Sequence, residues 1–252
     1  MSVITDAIRT AKSRGGPAIV AYLTAGFPTK EQFLTQLNAI GTAADVIEIG
    51  VPFTDPMADG ATIQRSSRVA LEQGVSLRWI LDQLTTARDK PKAPLLLMSY
   101  LNPLLAFGID KLPAAMSRAG VSGIIVPDLP YEECSDLRMA LSKEDIALVQ
   151  FVTPVTPDDR MKMLCDASGG FIYAVTMTGT TGKNVTVPQE VLNYFQRVRE
   201  FSPVPVCAGF GIRSREQVER LGPHVDGVII GSALVEVLER QENPASWLKN
   251  LR

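Results

Sequence analysis

Residues 45–60 read DVIEIGVPFTDPMADG, a short apolar run that leads into a loop with two prolines and two glycines. Near-continuous apolar runs are typical of strands that are buried on both faces of a parallel sheet. Proline and glycine favour turns and break regular structure, so the second half of this segment predicts a shaped loop. The segment therefore predicts a buried strand over Asp45–Ile49 whose C-terminal end opens into that loop.

Seven further runs of the same kind recur along the chain, and helix-like amphipathic stretches separate them. They are Ala18–Thr24, Pro94–Ser99, Gly123–Val126, Ala147–Val152, Gly170–Val175, Pro205–Ala208 and Val225–Ile230. Strands that alternate with helices in this number predict an α/β fold, a single (β/α)8 TIM barrel over residues 1–252. The competing architecture is a doubly wound sheet, which needs fewer strands and a glycine-rich turn after the first. Residues 24–28 read TAGFP instead, which is no dinucleotide fingerprint.

Helix starts are marked by capping residues and prolines. Residues 29–32 and 214–217 have the composition of capping boxes, and Pro157 and Pro188 stand where helices would begin. Residues 2–14 place apolar side chains on one face and predict an extra N-terminal helix that closes the bottom of the barrel. Two further helices are predicted over 110–119 and 132–141, and the long interval between the second and third strands leaves room for a long loop after the second strand.

Composition excludes several classes of protein. The formal charge is −2, so no basic surface for nucleic acid or anionic lipid is expected. The longest apolar run, Ala18–Leu23, is far too short to span a membrane, and the N-terminus has no signal-peptide core. Three widely spaced cysteines indicate a reducing compartment, which we expect to be the cytoplasm. His224 is the single histidine, which excludes histidine-rich zinc sites and most histidine-based triads.

Glu48 is a carboxylate inside an apolar strand. Alternation places Val46 and Glu48 on one face of the strand and Ile47 and Ile49 on the other. Burial should raise the pKa of Glu48, which makes a glutamate suitable as a general acid or base near neutral pH. The structural alternative is a buried glutamate paired with an arginine, but no strand candidate contains an arginine.

The loop after this strand carries two more acidic residues. Asp55 precedes Pro56 and Asp59 precedes Gly60, and both pairs are also common in simple turns. In a barrel, however, functional groups lie at the C-terminal ends of strands and in the loops that follow. Asp59 is therefore a candidate partner of Glu48 at the mouth of the barrel.

Glycine-rich loops follow the last three strands. Residues 209–212 read GFGI, and residues 231–233 read GSA at the start of a helical stretch. These are the usual positions of the phosphate site in such barrels, although tight turns without a ligand would also explain them. Residues 178–184 read TGTTGKN and suit a mobile lid whose Gly182 joins the phosphate site. Tyr173, inside the sixth strand, either presents its hydroxyl at the mouth or is a buried structural tyrosine.

The residue types in the strands and loops disfavour two kinds of chemistry, Schiff-base formation and metal catalysis. No strand candidate contains a lysine, so a Schiff-base mechanism is not expected. Glu48, Asp59 and Asp128 could hold a magnesium ion, but a phosphate site built from glycine amides needs no metal. The residues alone therefore predict acid–base chemistry without a metal on a phosphorylated substrate.

Residues 48–60, EIGVPFTDPMADG, closely resemble the signature of the tryptophan synthase α chain family. The resemblance covers nearly the whole chain and includes residues 23–26 (LTAG), 127–130 (PDLP), Thr181-Gly182, and the two glycine loops near residues 209 and 231. It implies a lyase that cleaves indole-3-glycerol phosphate to indole and glyceraldehyde 3-phosphate by a retro-aldol reaction in tryptophan biosynthesis.

The resemblance also implies roles for individual residues. Glu48 would be the acid–base group on the glycerol side and at indole C3, Asp59 would accept from the indole N–H, and Tyr173 would help to position Glu48. Residues implied to bind the substrate are Tyr22, Met98 and Phe210 around the indole ring and Thr181, Gly182, Gly211, Gly231 and Ser232 near the phosphate.

The family works with a β chain, and an α2β2 heterotetramer is implied. Pro52, Asp55 and Pro130 would face that partner, and pyridoxal phosphate would belong to the β chain, so this chain needs no cofactor or metal of its own. The sequence departs from the family at Tyr22, where phenylalanine is common, and in loop six, Thr176–Gly182, which puts lid dynamics in question. Two alternatives stay open: another phosphate-binding barrel isomerase or synthase, and a weakly active barrel that chiefly binds and activates a β chain.

Overall fold

Eight parallel strands close into a barrel in the order in which they occur in the sequence. The computed structural model describes residues 2–175, 188–209 and 211–252. The strands are β1 (Ala18–Thr24), β2 (Val46–Gly50), β3 (Leu95–Met98), β4 (Val121–Ile125), β5 (Ala147–Val152), β6 (Ile172–Val175), β7 (Val206–Gly209) and β8 (Gly227–Ile230). β8 pairs with β1 and completes the ring, which confirms the predicted (β/α)8 barrel.

Helices connect the strands and surround them. Those in the described residues are α1 (Val3–Ser13), α2 (Phe33–Gly41), α3 (Ala61–Glu72), α4 (Leu77–Thr86), α5 (Leu101–Phe107), α6 (Leu112–Ala119), α7 (Ser135–Ser142), α8 (Asp158–Ala167), α9 (Gln189–Phe201), α10 (Arg215–Leu221), α11 (Ser232–Glu239) and α12 (Pro244–Lys249). Short 3-10 turns occupy Lys30–Gln32 and Tyr131–Glu133. The interval between β2 and β3 contains the expected loop after β2, over residues 51–60, and then α3 and α4, two helices that were not predicted from the sequence.

Alternation along the strands divides the apolar residues into two cores. Ile47 and Ile49 point outward and join the large core between the strands and the surrounding helices. Val46 points inward and joins a second core that fills the barrel, together with residues such as Val20 and Leu96. Glu48 lies on the same inward face as Val46, as the alternation predicted.

Helix α1 closes the N-terminal end of the barrel. Ile4 and Ile8 are fully buried there, and the Thr5 hydroxyl donates to the Gly170 carbonyl at 2.7 Å. A Cβ on Gly123 would come within 2.6 Å of Ile4, so the absence of a side chain makes room for the helix. The predicted N-terminal helix is thereby confirmed. Because it covers this end of the barrel, we expect a functional site at the C-terminal ends of the strands.

One of the two predicted capping boxes forms. The Ser214 hydroxyl accepts from the Gln217 amide, and the Gln217 side chain accepts from the Ser214 amide. Thr29 makes no such bond, because a 3-10 turn separates it from α2. Across the described part of the chain, no helix has the length and apolar character needed to cross a bilayer.

Candidate active site

Glu48 lies at the centre of the barrel mouth. Strand β2 places it beside Tyr22 of β1 and Leu96 of β3, and only 3% of its surface is exposed. Its Oε2 atom is buried and has no hydrogen-bond partner among the described residues. Burial, together with the negative charge of Asp59, raises the pKa of Glu48 to about 8. A carboxyl group held in this way is protonated at neutral pH and available to donate its proton.

Asp59 reaches the same region from the loop after β2. The residue is half-buried, and burial raises its pKa to about 6, although an interaction with the Tyr100 hydroxyl acts in the opposite direction. The Asp59 amide donates to the Pro56 carbonyl at 3.0 Å, which closes the turn immediately before α3. Asp59 is therefore mostly ionised at neutral pH, in contrast to Glu48.

Tyr100 anchors the loop that carries Asp59. Its hydroxyl accepts from the Ala58 amide at 3.0 Å, and its ring stacks on Phe53 with centroids 5.2 Å apart. The side chain is almost completely buried, and its hydroxyl also interacts with the Asp59 carboxylate. One tyrosine from the end of β3 thus fixes two successive residues of the loop and favours the ionised form of Asp59.

Two tyrosines flank Glu48, and each lies over a glycine on the neighbouring strand. A Cβ on Gly50 would come within 2.1 Å of the Tyr22 hydroxyl oxygen, and one on Gly209 within 2.2 Å of the Tyr173 ring. Burial raises the pKa of both phenols well above the usual range, and the nearby acidic groups, Glu48 among them, add to this. Both hydroxyls therefore stay protonated beside Glu48.

The Tyr22 hydroxyl belongs to a buried chain of hydroxyl groups. It lies 3.3 Å from Thr24 Oγ1, which lies 2.6 Å from Ser66 Oγ, and Ser66 donates to the Ile63 carbonyl at 2.8 Å. Since each hydroxyl has one proton, the order of donation follows: Tyr22 donates to Thr24, and Thr24 donates to Ser66. The chain ties β1 to α3, the helix that begins directly after Asp59.

Four of the predicted apolar and phosphate-binding residues, all in the described part of the chain, lie at the same end of the barrel: Met98, Gly211, Gly231 and Ser232. Met98 ends β3 beside Gly50 and is buried. Gly211 has a left-handed φ of +73°, and a Cβ added there would meet open space. Gly231 precedes α11, and Ser232 opens that helix. A Cβ on Gly231 would lie 3.9 Å from the Tyr22 Cβ, so the N-terminus of α11 adjoins the acid–base half of the site.

The residues predicted to face a partner differ in exposure. Asp55 and Pro130 are exposed, whereas Pro52 is buried within its loop. Met57, two residues beyond Asp55, is 84% exposed. The partner role of Pro52, Asp55 and Pro130 stays a prediction, as do the roles assigned to the substrate-binding residues. Thr181, Gly182 and Phe210, with the rest of loop six, lie outside the described residues.

Sequence reasoning missed two side chains at the mouth. Tyr100 directly follows the third predicted strand, a position that marks functional residues in a barrel and was therefore detectable. Arg213 follows the glycine loop after β7 and reaches the start of α11, a contact that no sequence pattern indicates. In the described residues no cluster of three or more His, Cys, Asp or Glu side chains could hold a metal ion.

Comparison with known proteins identifies the family of this chain. The family model "Tryptophan synthase alpha chain" matches residues 8–251. The tryptophan synthase alpha chain of Nitratidesulfovibrio vulgaris strain Hildenborough is 44% identical over 243 residues, which cover 96% of this chain and 95% of that one.

Solved structures of tryptophan synthase have the same fold. A structure of the Mycobacterium tuberculosis enzyme superposes with a TM-score of 0.90 at 31% identity and covers 100% of this chain and 97% of the other. The α2β2 complex from Pyrococcus furiosus gives 0.87 at 35% identity, covering 94% of this chain and 98% of the other. A match of the family model over almost the whole length, on a barrel that unites Glu48 and Asp59, shows that this chain belongs to the tryptophan synthase alpha chain family.

Proposed function

We propose that this chain cleaves indole-3-glycerol phosphate to indole and glyceraldehyde 3-phosphate by a retro-aldol reaction. One observation carries the proposal: two interacting carboxyl groups at the barrel mouth have pKa values near 8 and near 6. At neutral pH Glu48 is therefore mainly the acid and Asp59 mainly the base. Two carboxyl groups whose environments separate their pKa values are the usual basis of paired acid–base catalysis.

The first step is tautomerisation of the indole ring. Glu48 donates its proton to indole C3, and Asp59 accepts the proton of the indole N–H. The ring becomes the indolenine, with C3 saturated and a C2=N double bond that can accept electrons. This step requires a protonated Glu48 and an ionised Asp59, which are the states of the two groups at neutral pH.

The second step breaks the carbon–carbon bond. Glu48, now a carboxylate, takes the proton from the hydroxyl group on the carbon attached to C3, and that carbon becomes the aldehyde. The bonding pair moves into the C2–C3 bond while the C2=N pair returns to nitrogen, which recovers its proton from Asp59. Indole and glyceraldehyde 3-phosphate result, and both carboxyl groups regain their starting protonation states.

The remaining residues of the mouth would hold the substrate. Tyr22 and Met98 would contact the indole ring with Phe210, and Tyr173 would position Glu48. Gly211, Gly231 and Ser232 would bind the phosphate with Thr181 and Gly182, because amides at the start of α11 favour an anion.

The partner and the cofactor follow from the family. The Pyrococcus furiosus relative forms an α2β2 complex with mutual activation, and we propose a β chain as the partner of this chain, docked on the exposed rim near Asp55 and Pro130. The pyridoxal phosphate of the overall synthase would belong to that β chain, so this chain would use no cofactor of its own. We place the assembly in the cytoplasm.

The decisive experiment measures indole release from indole-3-glycerol phosphate by the pure chain, and then with added β chain. Glu48→Gln keeps the side-chain volume but cannot titrate, and we expect it to lose more than nine-tenths of kcat in both conditions. Glu72→Gln, an exposed position at the end of α3, is the matched control and should behave as the wild type.

Two results would contradict the proposal. Turnover by Glu48→Gln at a tenth or more of the wild-type kcat would show that another group carries the proton. Absence of indole release by the wild-type chain under both conditions, while the complex with the β chain forms, would leave only a role in binding the partner.

A further inference from the structure

Arg213 brings a positive charge to the start of α11. It lies in the loop after β7, two residues beyond Gly211, and its backbone amide donates to the Gln217 side chain at 2.7 Å. Its guanidinium group donates to both carboxylate oxygens of Glu236, at 2.7 and 3.0 Å, and to the Ser232 hydroxyl at 3.4 Å. The side chain is 49% exposed, so it borders the open part of the mouth.

The surroundings of this guanidinium suit a phosphate group. The first amides of a helix have no partner within the helix, and Ser232 and Ala233 begin α11. A phosphate monoester carries about −1.5 to −2 charges at neutral pH, which those amides alone would not neutralise. Glu236 and Ser232 engage three of the five donors of Arg213 within the described part of the chain, so donors remain for an anion.

We propose that Arg213 binds the phosphate group of the substrate and that Glu236 holds its guanidinium in position above the start of α11. This inference rests on the proposed function and adds a phosphate-binding residue to it. A planar guanidinium can donate two parallel hydrogen bonds to phosphate oxygens, and it adds the full positive charge that backbone amides lack. Thr62 supports the arrangement, because its hydroxyl donates to the same Glu236 carboxylate at 3.3 Å.

The chain offers a matched control for this arginine. Arg65 of α3 also forms a two-pronged ion pair with α11, at 3.0 and 2.7 Å to Glu239, and its side chain is 41% exposed. Glu239 lies three residues beyond Glu236, near the C-terminal end of the helix. The two arginines therefore make the same kind of ion pair to the same helix, but only Arg213 contacts Ser232.

The test compares the full-length chain with three variants, Arg213→Gln, Arg65→Gln and Glu236→Gln. Calorimetry measures the dissociation constant of glycerol 3-phosphate, with glycerol and inorganic phosphate as the other two ligands, at two salt concentrations. We expect Arg213→Gln to raise the dissociation constants of both phosphate ligands about tenfold and to reduce their dependence on salt. Arg65→Gln should leave them unchanged. Glu236→Gln should raise them, but by less than Arg213→Gln does, because the guanidinium keeps its charge and loses only the carboxylate that holds it in position.

Three outcomes would overturn the inference. The first is unchanged affinity in Arg213→Gln, and the second is an equal loss in Arg213→Gln and Arg65→Gln, which would indicate a merely structural ion pair. The third is a loss in Glu236→Gln as large as that in Arg213→Gln. Failure of the proposed function would look different: wild-type chain would bind glycerol 3-phosphate through Arg213 and yet release no indole.

Discussion

Replacing Glu48 with glutamine should stabilise the fold while it abolishes the reaction. In the unfolded chain Glu48 has an ordinary pKa near 4.5, whereas in the fold burial and Asp59 raise the pKa to about 8. Between these values the wild-type chain must take up a proton in order to fold. Glutamine has no charge to neutralise, so Glu48→Gln avoids that cost.

The magnitude follows from the two pKa values. Each pH unit above 4.5 costs the wild-type fold about 1.4 kcal/mol until the pH reaches the folded pKa. The unfolding free energy of the wild-type chain therefore carries no penalty from Glu48 below pH 4.5, and it decreases as the pH rises towards 8. Relative to its value at low pH, the gain in unfolding free energy from Glu48→Gln should reach about 3 kcal/mol at pH 7 and level off near 5 kcal/mol above pH 8.

Urea unfolding at half-unit steps from pH 4.5 to 8.5 checks this reasoning. The difference in unfolding free energy between Glu48→Gln and the wild type should rise by about 1.4 kcal/mol per pH unit between pH 5 and 7.5. Glu72→Gln, at an exposed position on α3, is the control for the glutamate-to-glutamine exchange itself. A difference between Glu48→Gln and the wild type that stays constant with pH would refute a buried glutamate with a strongly raised pKa.

Three further predictions concern the acid–base pair and its supports. The pH profile of kcat/KM should be bell-shaped, with apparent pKa values near 6 for ionisation of Asp59 and near 8 for loss of the Glu48 proton. Asp59→Asn should move the alkaline limb of the profile to lower pH, because it removes the charge that helps to raise the pKa of Glu48. An alkaline limb that does not move would exclude that coupling. Tyr100→Phe removes an interaction that lowers the pKa of Asp59, so kcat/KM should fall severalfold more at pH 6 than at pH 8, whereas an equal loss at both would indicate a purely structural role. Gly209→Ala should reduce kcat at least tenfold while circular dichroism stays native, because the new Cβ would displace the Tyr173 ring; wild-type kcat would contradict the role of that ring in placing Glu48.

Strand prediction succeeded because strands inside a barrel are buried on both faces. Each of the eight apolar runs lies within two residues of an observed strand at either end. Helices between β2 and β3 were missed for different reasons. The buried face of α3 includes Ser66 and Ser67, so its apolar period is weak. The period of α4 is regular and its start is capped by Ser76, so the sequence does carry the signal for that helix.

The sequence predicts a site residue only where a polar side chain lies within an apolar strand or shortly after it. Glu48 was found because a carboxylate inside an apolar strand is costly, and Asp59 because it follows that strand closely. The interaction between Tyr100 and Asp59 joins residues 41 positions apart, and it depends on how the loop folds back over β3. The contact of Arg213 with Ser232 and Glu236 likewise depends on the loop after β7 meeting helix α11 at one end of the barrel.

The strand register explains why glycines end two of the strands at the mouth. Thr24 of β1 pairs with Gly50, and Val175 of β6 pairs with Gly209, so each glycine lies two residues beyond the register position of a tyrosine on the preceding strand. A side chain at either glycine would occupy the space of the tyrosine ring. Strands β2 and β7 therefore have glycine at the positions that the rings of Tyr22 and Tyr173 cover. Those phenols help to bury the Glu48 carboxyl group, and burial, with the charge of Asp59, raises its pKa and keeps it protonated at neutral pH.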